Sequence, residues 1–518
     1  MLEIRLDGTR LEIDDSATLG DILPGHPSSC SVAVIPPAEA QAALTRNIRL
    51  LTSAGEVVIE ILEEAAAFFS EGFIDEYVNA ESEPEELSVK WTDRQSVSFG
   101  PFSTGINPDR RQHRYARGDV VLGCGGYDSR TSYLIFSRIP HIADHGGQAD
   151  GGIVARVVSG MAVLETWSKG DRILRMERLM SRADTSTAFT TTDMSTPVTD
   201  GMQIFSYVLA SAAGYRKDAV DTTRAASVEH LLRTMAGERM TVSLASSTHI
   251  RDDRMKESIV EYEGEPHSRF EGTITTRVDG KNRGSVYIYT EDIPGSVHHT
   301  VVGQVEQGIE LPILAQDEET FIMRVEPKQL DFRGMELEEA LQLAAERGIS
   351  AESDTEEIKS VVFSQKPATT LEILAEGKVA ITTVPLSQVI TIELFDDEAP
   401  KTCHIFRSVT GLRWHDIGEM PLLMKFEDVY LFQPEVSKKT NIHRENLPEG
   451  EVPAYLLAMT NDSRKAAGLV GVRTVSSSEF GPTSEPLEST NIIGKVLEPE
   501  KLEGLKEGTK VYLREVKR

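Results

Sequence analysis

Cysteine is scarce in this chain: Cys30, Cys124 and Cys403 are its only three among 518 residues, far apart and with no C-x-x-C pair. That excludes a disulfide framework and a local zinc or cluster-binding loop, and all three are expected to be reduced thiols. Long apolar runs are missing too. No stretch reaches the roughly 18 apolar residues of a membrane helix, and the opening MLEIRLDGTR has neither a basic nor an apolar leader region. A cytoplasmic protein with no membrane partner is expected. Basic charge is in deficit, with 54 Lys plus Arg against 82 Asp plus Glu and a formal charge of −28. Such a surface repels phosphate backbones and anionic lipid, so nucleic acid is not an expected partner. The acidity fits a solubility feature or a docking face for a basic partner. H-E-x-x-H, G-x-S-x-G and the P-loop are all absent.

What is present is ordinary globular composition, 40% hydrophobic and 26% charged. At about 100 to 200 residues per domain, the length implies about three to five domains. Leu2, Ile4 and Leu6 alternate, Asp7-Gly8 supplies a tight turn, and Leu11 and Ile13 alternate on the return. Thr18 and Asp21 then give a capping-box signal for a helix. This order resembles small β-grasp modules of the sulfur-carrier and TGS type. A carrier needs a free Gly-Gly terminus, whereas this chain runs on, so the reading is a docking module.

Three later segments end alike: GGIVARVVSGMAVLETWSKGDRILRMERL (151–179), TVVGQVEQGIELPILAQDEETFIMRVEP (300–327) and NIIGKVLEPEKLEGLKEGTKVYLREV (491–516). Each reads as a strand, a short Leu-bearing helical turn and a closing strand. Their front halves recur less faithfully, GMQIFSYVLA (201–210) through ERM at 238–240 running parallel to VITIELFDDEAPKTCHIFRSVTGL (389–412), with GEVVIEILEEAAAFFSEGF (55–73) as a decayed third copy. The expected fold class is mainly β with α (α+β), as three barrel units. The expected divisions are a β-grasp-like module at 1–52, units at 53–183, 184–329 and 388–518, and an α/β spacer at 330–387. In the spacer, Leu337, Leu341 and Ala344 fall on one helical face and Gly348 supplies the stop.

The stretch TIELFDDEAPKTCHIFRSVTGL (391–412) resembles the opening of a cyclophilin. Phe480-Gly481-Pro482-Thr483, Asn491-Ile492-Ile493-Gly494-Lys495-Val496 and Gly508-Thr509-Lys510-Val511 resemble the closing motifs of minimal archaeal and bacterial cyclophilin-like barrels. Over nearly its full length, including GCGGYDSRTSYLIFS near 123 and TEDIPGSVHHTVVG near 290, the chain resembles the methanogenesis marker protein 3 family. The resemblance implies protein partners, methyl-coenzyme M reductase and its activation components; the missing isomerase pocket described below adds the expectation of a non-catalytic scaffold. The alternative is a divergent cyclophilin-type prolyl isomerase acting on partner subunits.

Prolyl isomerisation must overcome a barrier of about 18–20 kcal/mol, which cyclophilins lower with an arginine beside an apolar proline pocket. None of the three units carries the family's F-x-R strand followed by F-M-x-Q-G-G-D. In the third, Arg413 and Trp414 are the candidates to imitate it; in the second, Arg251 or Arg254 falls on a polar loop without an aromatic floor. VLGCGGYDSR reads as a tight turn, or as a close approach to a ligand with Cys124 as a soft metal donor. His141 and His145 sit on a loop matching that of His298 and His299, where imidazoles could meet at a unit interface or bind a metal. The third unit has Ser476-Ser477-Ser478-Glu479 there. ESEPEE (81–86) reads as a solvated loop. No catalytic, cofactor-binding or metal-binding residue and no cofactor is assigned.

Overall fold

A computed structural model describes the chain except residues 38–43, 63–64, 66–67, 70–86, 129, 181–186, 217–218, 265–268, 438–439, 449, 464–466 and 517–518. Most of residues 63–73, in the stretch read as a decayed third copy, and ESEPEE therefore lie outside the described residues. The chain divides into two compact units, Met1–Gln329 and Leu330–Arg518.

In the first unit, Leu2–Leu6 and Thr9–Ile13 form the expected hairpin, with Asp7 and Gly8 at φ 47° and 81°. The Thr18 amide donates to Asp21 Oδ2 at 2.9 Å, opening the helix Leu19–Ile22. The five-stranded sheet built on this hairpin runs in the order Phe189–Thr191, Val32–Ile35, Gln203–Phe205, Leu2–Leu6, Thr9–Ile13. Two of its strands thus come from a part of the chain that the sequence reading gave to the second unit. Val198, Met202 and Ile204 seal a core with Ile4, Leu19, Val32 and Val34, which supplies the apolar reason for their return.

The rest of the first unit is two eight-stranded sheets and two small two-stranded ones, His113–Tyr115 with His141–Ala143 and Tyr215–Arg216 with Ala219–Val220. The first runs Ile173–Met180, Leu44–Thr52, Gly55–Ile61, Ile153–Ser159, Asp119–Cys124, Ser132–Ser137, Ser96–Phe102, Val89–Thr92. Its ends meet through Ile173 N–H to the Leu87 carbonyl at 2.9 Å and Val89 N–H to the Asp171 carbonyl at 2.8 Å. Inside, Trp167 stands edge-on to Phe99 and Phe136, with ring centroids at 4.8 and 4.9 Å, and donates to Thr52 Oγ1 at 3.1 Å.

The second sheet runs Arg239–Thr241, Thr320–Glu326, Tyr207–Ala212, His299–Gln307, Thr273–Arg277, Val286–Tyr289, His249–Asp252, Leu244–Ala245. Arg239–Thr241 and Leu244–Ala245 are consecutive in the chain, and Val242 N–H to the Glu319 carbonyl and Ser243 N–H to the Arg251 carbonyl carry hydrogen bonding across the gap.

The second unit opens with a three-stranded sheet, Ser350–Ser353, Lys378–Pro385, Ser360–Lys366, covered by the helices Leu337–Glu346 and Thr370–Glu376. Leu337, Ala340 and Ala344 face the core and Gly348 takes φ 69°, but Leu341 is 38% exposed. The buried stripe is narrower than expected, since small alanines bring the helix close to the sheet. Then comes a closed seven-stranded barrel: Val389–Leu394, Thr490–Val496, Leu456–Thr460, Val470–Arg473, Val429–Phe432, Gly418–Lys425, Lys510–Glu515, the last pairing parallel with the first. The helix Pro400–Thr410 buries Cys403 and Phe406 in the barrel's core cluster, and the Glu445 carboxylate accepts from the Lys401 and Thr402 amides at its N-terminus.

Strand order is shared by all three sheets. Starting at Gly55–Ile61, Tyr207–Ala212 or Val389–Leu394, each next meets the strand that holds Ile153–Val157, Val301–Val305 or Ile492–Val496, an [I/V]-x-[G/A]-x-V pattern, then the same permutation of the strands between. A register shift falls in the same strand pair of each sheet, between Ile153 and Ala155, Ile274 and Thr275, and Leu457 and Ala458. The first sheet differs by one strand. Leu44–Thr52 lies between the first and last strands, so the last pairs antiparallel there, where the other two sheets pair first and last directly and in parallel.

Candidate functional site

Alternation along each strand sends one set of side chains to the core and the other to the outer wall. On the third sheet's wall, Gly418–Lys425 turns out Glu419, Pro421, Leu423 and Lys425. Gly471 lies beneath the loop of Pro482 and Thr483, whose backbone a Cβ there would strike at 2.5 Å. Arg473 is held by Asp428 and by Ser484 Oγ at 3.0 Å. Arg413 and Trp414 are together but elsewhere: they follow the helix Pro400–Thr410, and the guanidinium lies 4.2 Å from the Trp414 ring centroid. Beside them His415 Nδ1 approaches Asp331 at 3.4 Å, and Arg333 reaches the same carboxylate at 2.6 Å. Burial raises that carboxyl's pKa, but the hydrogen bonds from His415 and Arg333 outweigh it and hold the group well below the usual range. Ser476 bonds Glu451, and Ser477 pairs with Val452.

The first sheet's wall is filled with rings. His141 Nε2 and His145 Nε2 are 2.8 Å apart, and Tyr115 lies 4.9 Å from the His145 ring and donates to the Gly151 carbonyl at 3.0 Å. Trp91 stacks on His145 at 6.2 Å. His141 Nδ1 lies 2.8 Å from the Ile139 carbonyl, which can only accept, so this nitrogen is the donor there. Burial, then His141, push His145 down to about 4; burial pushes Tyr115 up to about 12. The Gly-rich stretch belongs to this packing. A Cβ at Gly123 would sit 2.3 Å from the His145 carbonyl, and Arg110 donates to the carbonyls of Asp144 at 2.8 Å and Cys124 at 3.0 Å. Burial raises the Cys124 thiol, and it pushes Cys403 up to about 12. All three cysteines are buried and free. Among the described residues, no three His, Cys, Asp or Glu side chains converge as a metal site.

The second sheet's wall combines rings with arginines. His249 is paired across strands with Tyr289, Arg251 with Tyr287, and Arg277 with His299. The His249 ring lies 5.1 Å from Tyr287, and Tyr287 lies 4.8 Å from His299. Arg251 therefore sits on a strand above an aromatic floor, correcting the sequence expectation of a polar loop; it pairs with Asp253 at 2.8 Å. Arg254 is beside it on Asp252 at 2.7 Å. His298 and His299 part company: His298 approaches Asp279 at 3.3 Å in solvent, while His299 is buried against Thr275 Oγ1 at 2.9 Å. His141 thus sits on the two-stranded sheet of His113–Tyr115 and His141–Ala143 and meets His145 just after it, while His298 precedes and His299 opens the strand His299–Gln307 of the second eight-stranded sheet. Sequence reasoning missed Tyr115, Trp91, His249, Tyr287, Tyr289, Arg269 and Arg277. The x-Tyr-x-Tyr alternation of Val286–Tyr289 was the available signal.

A family described as "Putative peptidyl-prolyl cis-trans isomerase domain" matches residues 390–516, the closed barrel. Over the whole chain, a UPF0288 protein of Methanosarcina barkeri is 34% identical, spanning 100% of this chain and 98% of that one. This chain belongs to the UPF0288 family. Other UPF0288 relatives are from Methanothermobacter thermautotrophicus, 29% identical over 99% of this chain and 98% of its own, and Methanopyrus kandleri, 26% identical over 100% and 99%. Among solved structures, this UPF0288 chain matches the cyclophilin AquaCyp293 from Hirschia baltica at 9% identity, covering 32% of this chain and 83% of that one with a TM-score of 0.20. A Cryptosporidium parvum cyclophilin-type peptidyl-prolyl cis-trans isomerase solved with Ala-Pro matches at 12% identity, covering 26% and 99% with a TM-score of 0.19. No helix among the described residues is long and apolar enough to cross a membrane.

Proposed function

We propose that this UPF0288 protein is a non-catalytic scaffold of the methanogenesis marker protein 3 type, built from three divergent cyclophilin-like units, whose partners are methyl-coenzyme M reductase and its activation components. The wall of the closed barrel carries this reading: its strands Gly418–Lys425 and Val429–Phe432 hold no arginine, and Arg413 lies beyond the helix instead. The guanidinium that the described part of that wall does carry, Arg473, is committed to Asp428 and Ser484, which leaves no free arginine there to stabilise a twisted amide. The reading of three units draws support from the shared strand order. A purified chain is expected to leave the relaxation of an X-Pro peptide at its uncatalysed tens to hundreds of seconds, and to bind purified reductase or activation components at low salt. Its association rate should fall as salt shortens the Debye length to about 3 Å at 1 M. No binding to any of them would overturn the named partner.

A second reading, prolyl isomerase, is favoured by one observation, Arg251 beside Tyr287 on the second sheet. Acceleration that Arg251→Ala abolishes would establish it; acceleration lost in Arg413→Ala would move the activity to the closed barrel.

A further inference from the structure

The three larger sheets of the first unit meet at one polar seam. The first eight-stranded sheet keeps its apolar core, from Ile48 to Met176, to itself. Across the seam, Gln304 of the second sheet donates to the Ala54 carbonyl at 3.0 Å, Gln307 donates to the Asp7 carbonyl of the N-terminal hairpin, and Ser159 donates to Glu271 Oε1 at 2.6 Å. Gly8 stands at the meeting point. A Cβ there would lie 3.4 Å from an Arg49 guanidinium nitrogen and 3.5 Å from Gln307 Nε2.

Arg49 is buried, its Nε has no hydrogen-bond partner among the described residues, and its ion pair with Glu56 is long at 3.6 Å. Just past Gln307, a turn at Gly308 with φ 82° leads into Glu310, the first residue of the helix Glu310–Leu314. Glu310 is mostly buried, and Arg49 is the cation acting on it, against the carboxylates of Glu56 and Glu271. Glu306 borders the same seam, its Cγ 3.7 Å from where a Cβ on Gly55 would stand. Of the other elements packed on this helix, Val32–Ile35 and Phe189–Thr191 carry no titratable side chain. His249–Asp252 brings His249, Arg251 on Asp253, and Asp252 on Arg254. Asp7 turns its carboxylate to Ser206, and Arg324 lies over the Tyr207 ring. Burial lifts the Glu310 carboxyl to about 7, Glu56 and Glu271 add to the rise, and Arg49 opposes it.

We propose that Glu310 is a proton latch on this seam: protonated, it holds the three sheets closed, and ionised, it is repelled by Glu56 and Glu271 and loosens the second sheet from the first sheet and the hairpin. The latch needs no partner and stands apart from the scaffold reading. An ionised Glu310 in the closed seam is a buried charge that Arg49, already engaged with Glu56, does not balance, whereas opening returns it to water. In the opened seam its carboxyl titrates at the ordinary glutamate value of about 4.3, so the closed seam binds the proton more tightly. Closure is therefore fully favoured below that value, weakens as pH rises to about 7 and levels off above it. The buried histidines, neutral in the fold, act in the opposite sense.

The test is a distance measurement between spin labels in the full chain, on Arg94→Cys in an exposed turn of the first sheet and Lys281→Cys in an exposed turn of the second. The three native cysteines are buried, which keeps the label off them. From pH 5.5 to pH 8 a longer-distance population should grow, its ratio to the short one rising about tenfold or more. Glu310→Gln, a fixed stand-in for the protonated acid, should hold the short distance at both pH values. Identical distance distributions at the two pH values, a shift toward the short distance at pH 8, or undiminished growth of the long population in Glu310→Gln overturns the proposal. Should that variant not fold, Glu56→Gln decides: it removes one repelling carboxylate and leaves Arg49 to Glu310, so the growth must shrink, and unaltered growth overturns the latch.

Discussion

At Gly494 an added Cβ would lie 2.2 Å from the Glu393 carbonyl, and at Gly303 it would lie 2.6 Å from that of Ser211. In the second and third sheets the missing Cβ is therefore what lets this strand press against the first strand of its sheet. Gly494→Val should destabilise the closed barrel by about 1–3 kcal/mol through overpacking, read as a lower denaturant midpoint with an unchanged slope. A second prediction concerns protons. His145, His230 and His299 are driven down to about 4, about 4 and about 3, burial first in each case, so they stay neutral in the fold. In the unfolded chain they titrate near 6.5. Between pH 6.5 and about 4, and down to about 3 for His299, the unfolded state binds protons that the folded state refuses, so stability falls as pH falls across that window and levels off below it, by roughly 1–3 kcal/mol per histidine. Urea melts at pH 7 and 4.5 check this, and His145→Phe should flatten part of the slope. Local chemistry was legible at this scale: Asp7-Gly8 turned and Thr18 with Asp21 capped because each signal needs only its neighbours. The ring clusters were not legible, because Tyr115 meets His145, and Tyr287 meets His299, only after strands have paired.

Among the elements, the short helix Met161–Thr166 and its successor Trp167 show how one end of the first sheet is held. Arg138, itself buried, donates to the Leu164 carbonyl at 3.1 Å and to that of Trp167, while the indole fills the space between Phe99 and Phe136. Trp167→Ala should cost about 3–5 kcal/mol, because the cavity is walled by rings that cannot collapse into it. Differential melting of the full chain should place the loss in the first unit, with the 330–518 transition unmoved. The recurring strand, Leu-bearing turn and closing strand were readable from the sequence because their alternation is regular. The strands Phe189–Thr191 and Gln203–Phe205 were not, since three residues carry no measurable period and their pairing partners lie more than a hundred residues away.

For the whole molecule, the division at Gln329 gives the clearest expectation. A fragment of residues 330–518 contains its own barrel and α/β sheet and should fold alone, giving dispersed amide resonances and a cooperative melt. A fragment ending at residue 183 lacks both strands that flank Val32–Ile35, leaving that fully buried strand with open edges, and should aggregate, whereas one ending at 329 should remain monodisperse by light scattering. The pairing of Leu2–Leu6 with Gln203–Phe205 also sets a clock on biosynthesis. About 170 residues separate Ile35 from Phe205, and at about 5–20 residues per second a ribosome needs roughly 10–35 s to deliver the missing strand. During that interval the hairpin and Val32–Ile35 wait with bare edges while the first eight-stranded sheet emerges behind them. On a polysome, neighbouring nascent chains display the same edges at the same time. The N-terminal module is thus the part of this protein most exposed to pairing with its own copies, and slowing translation before residue 205 should raise the yield of such dimers.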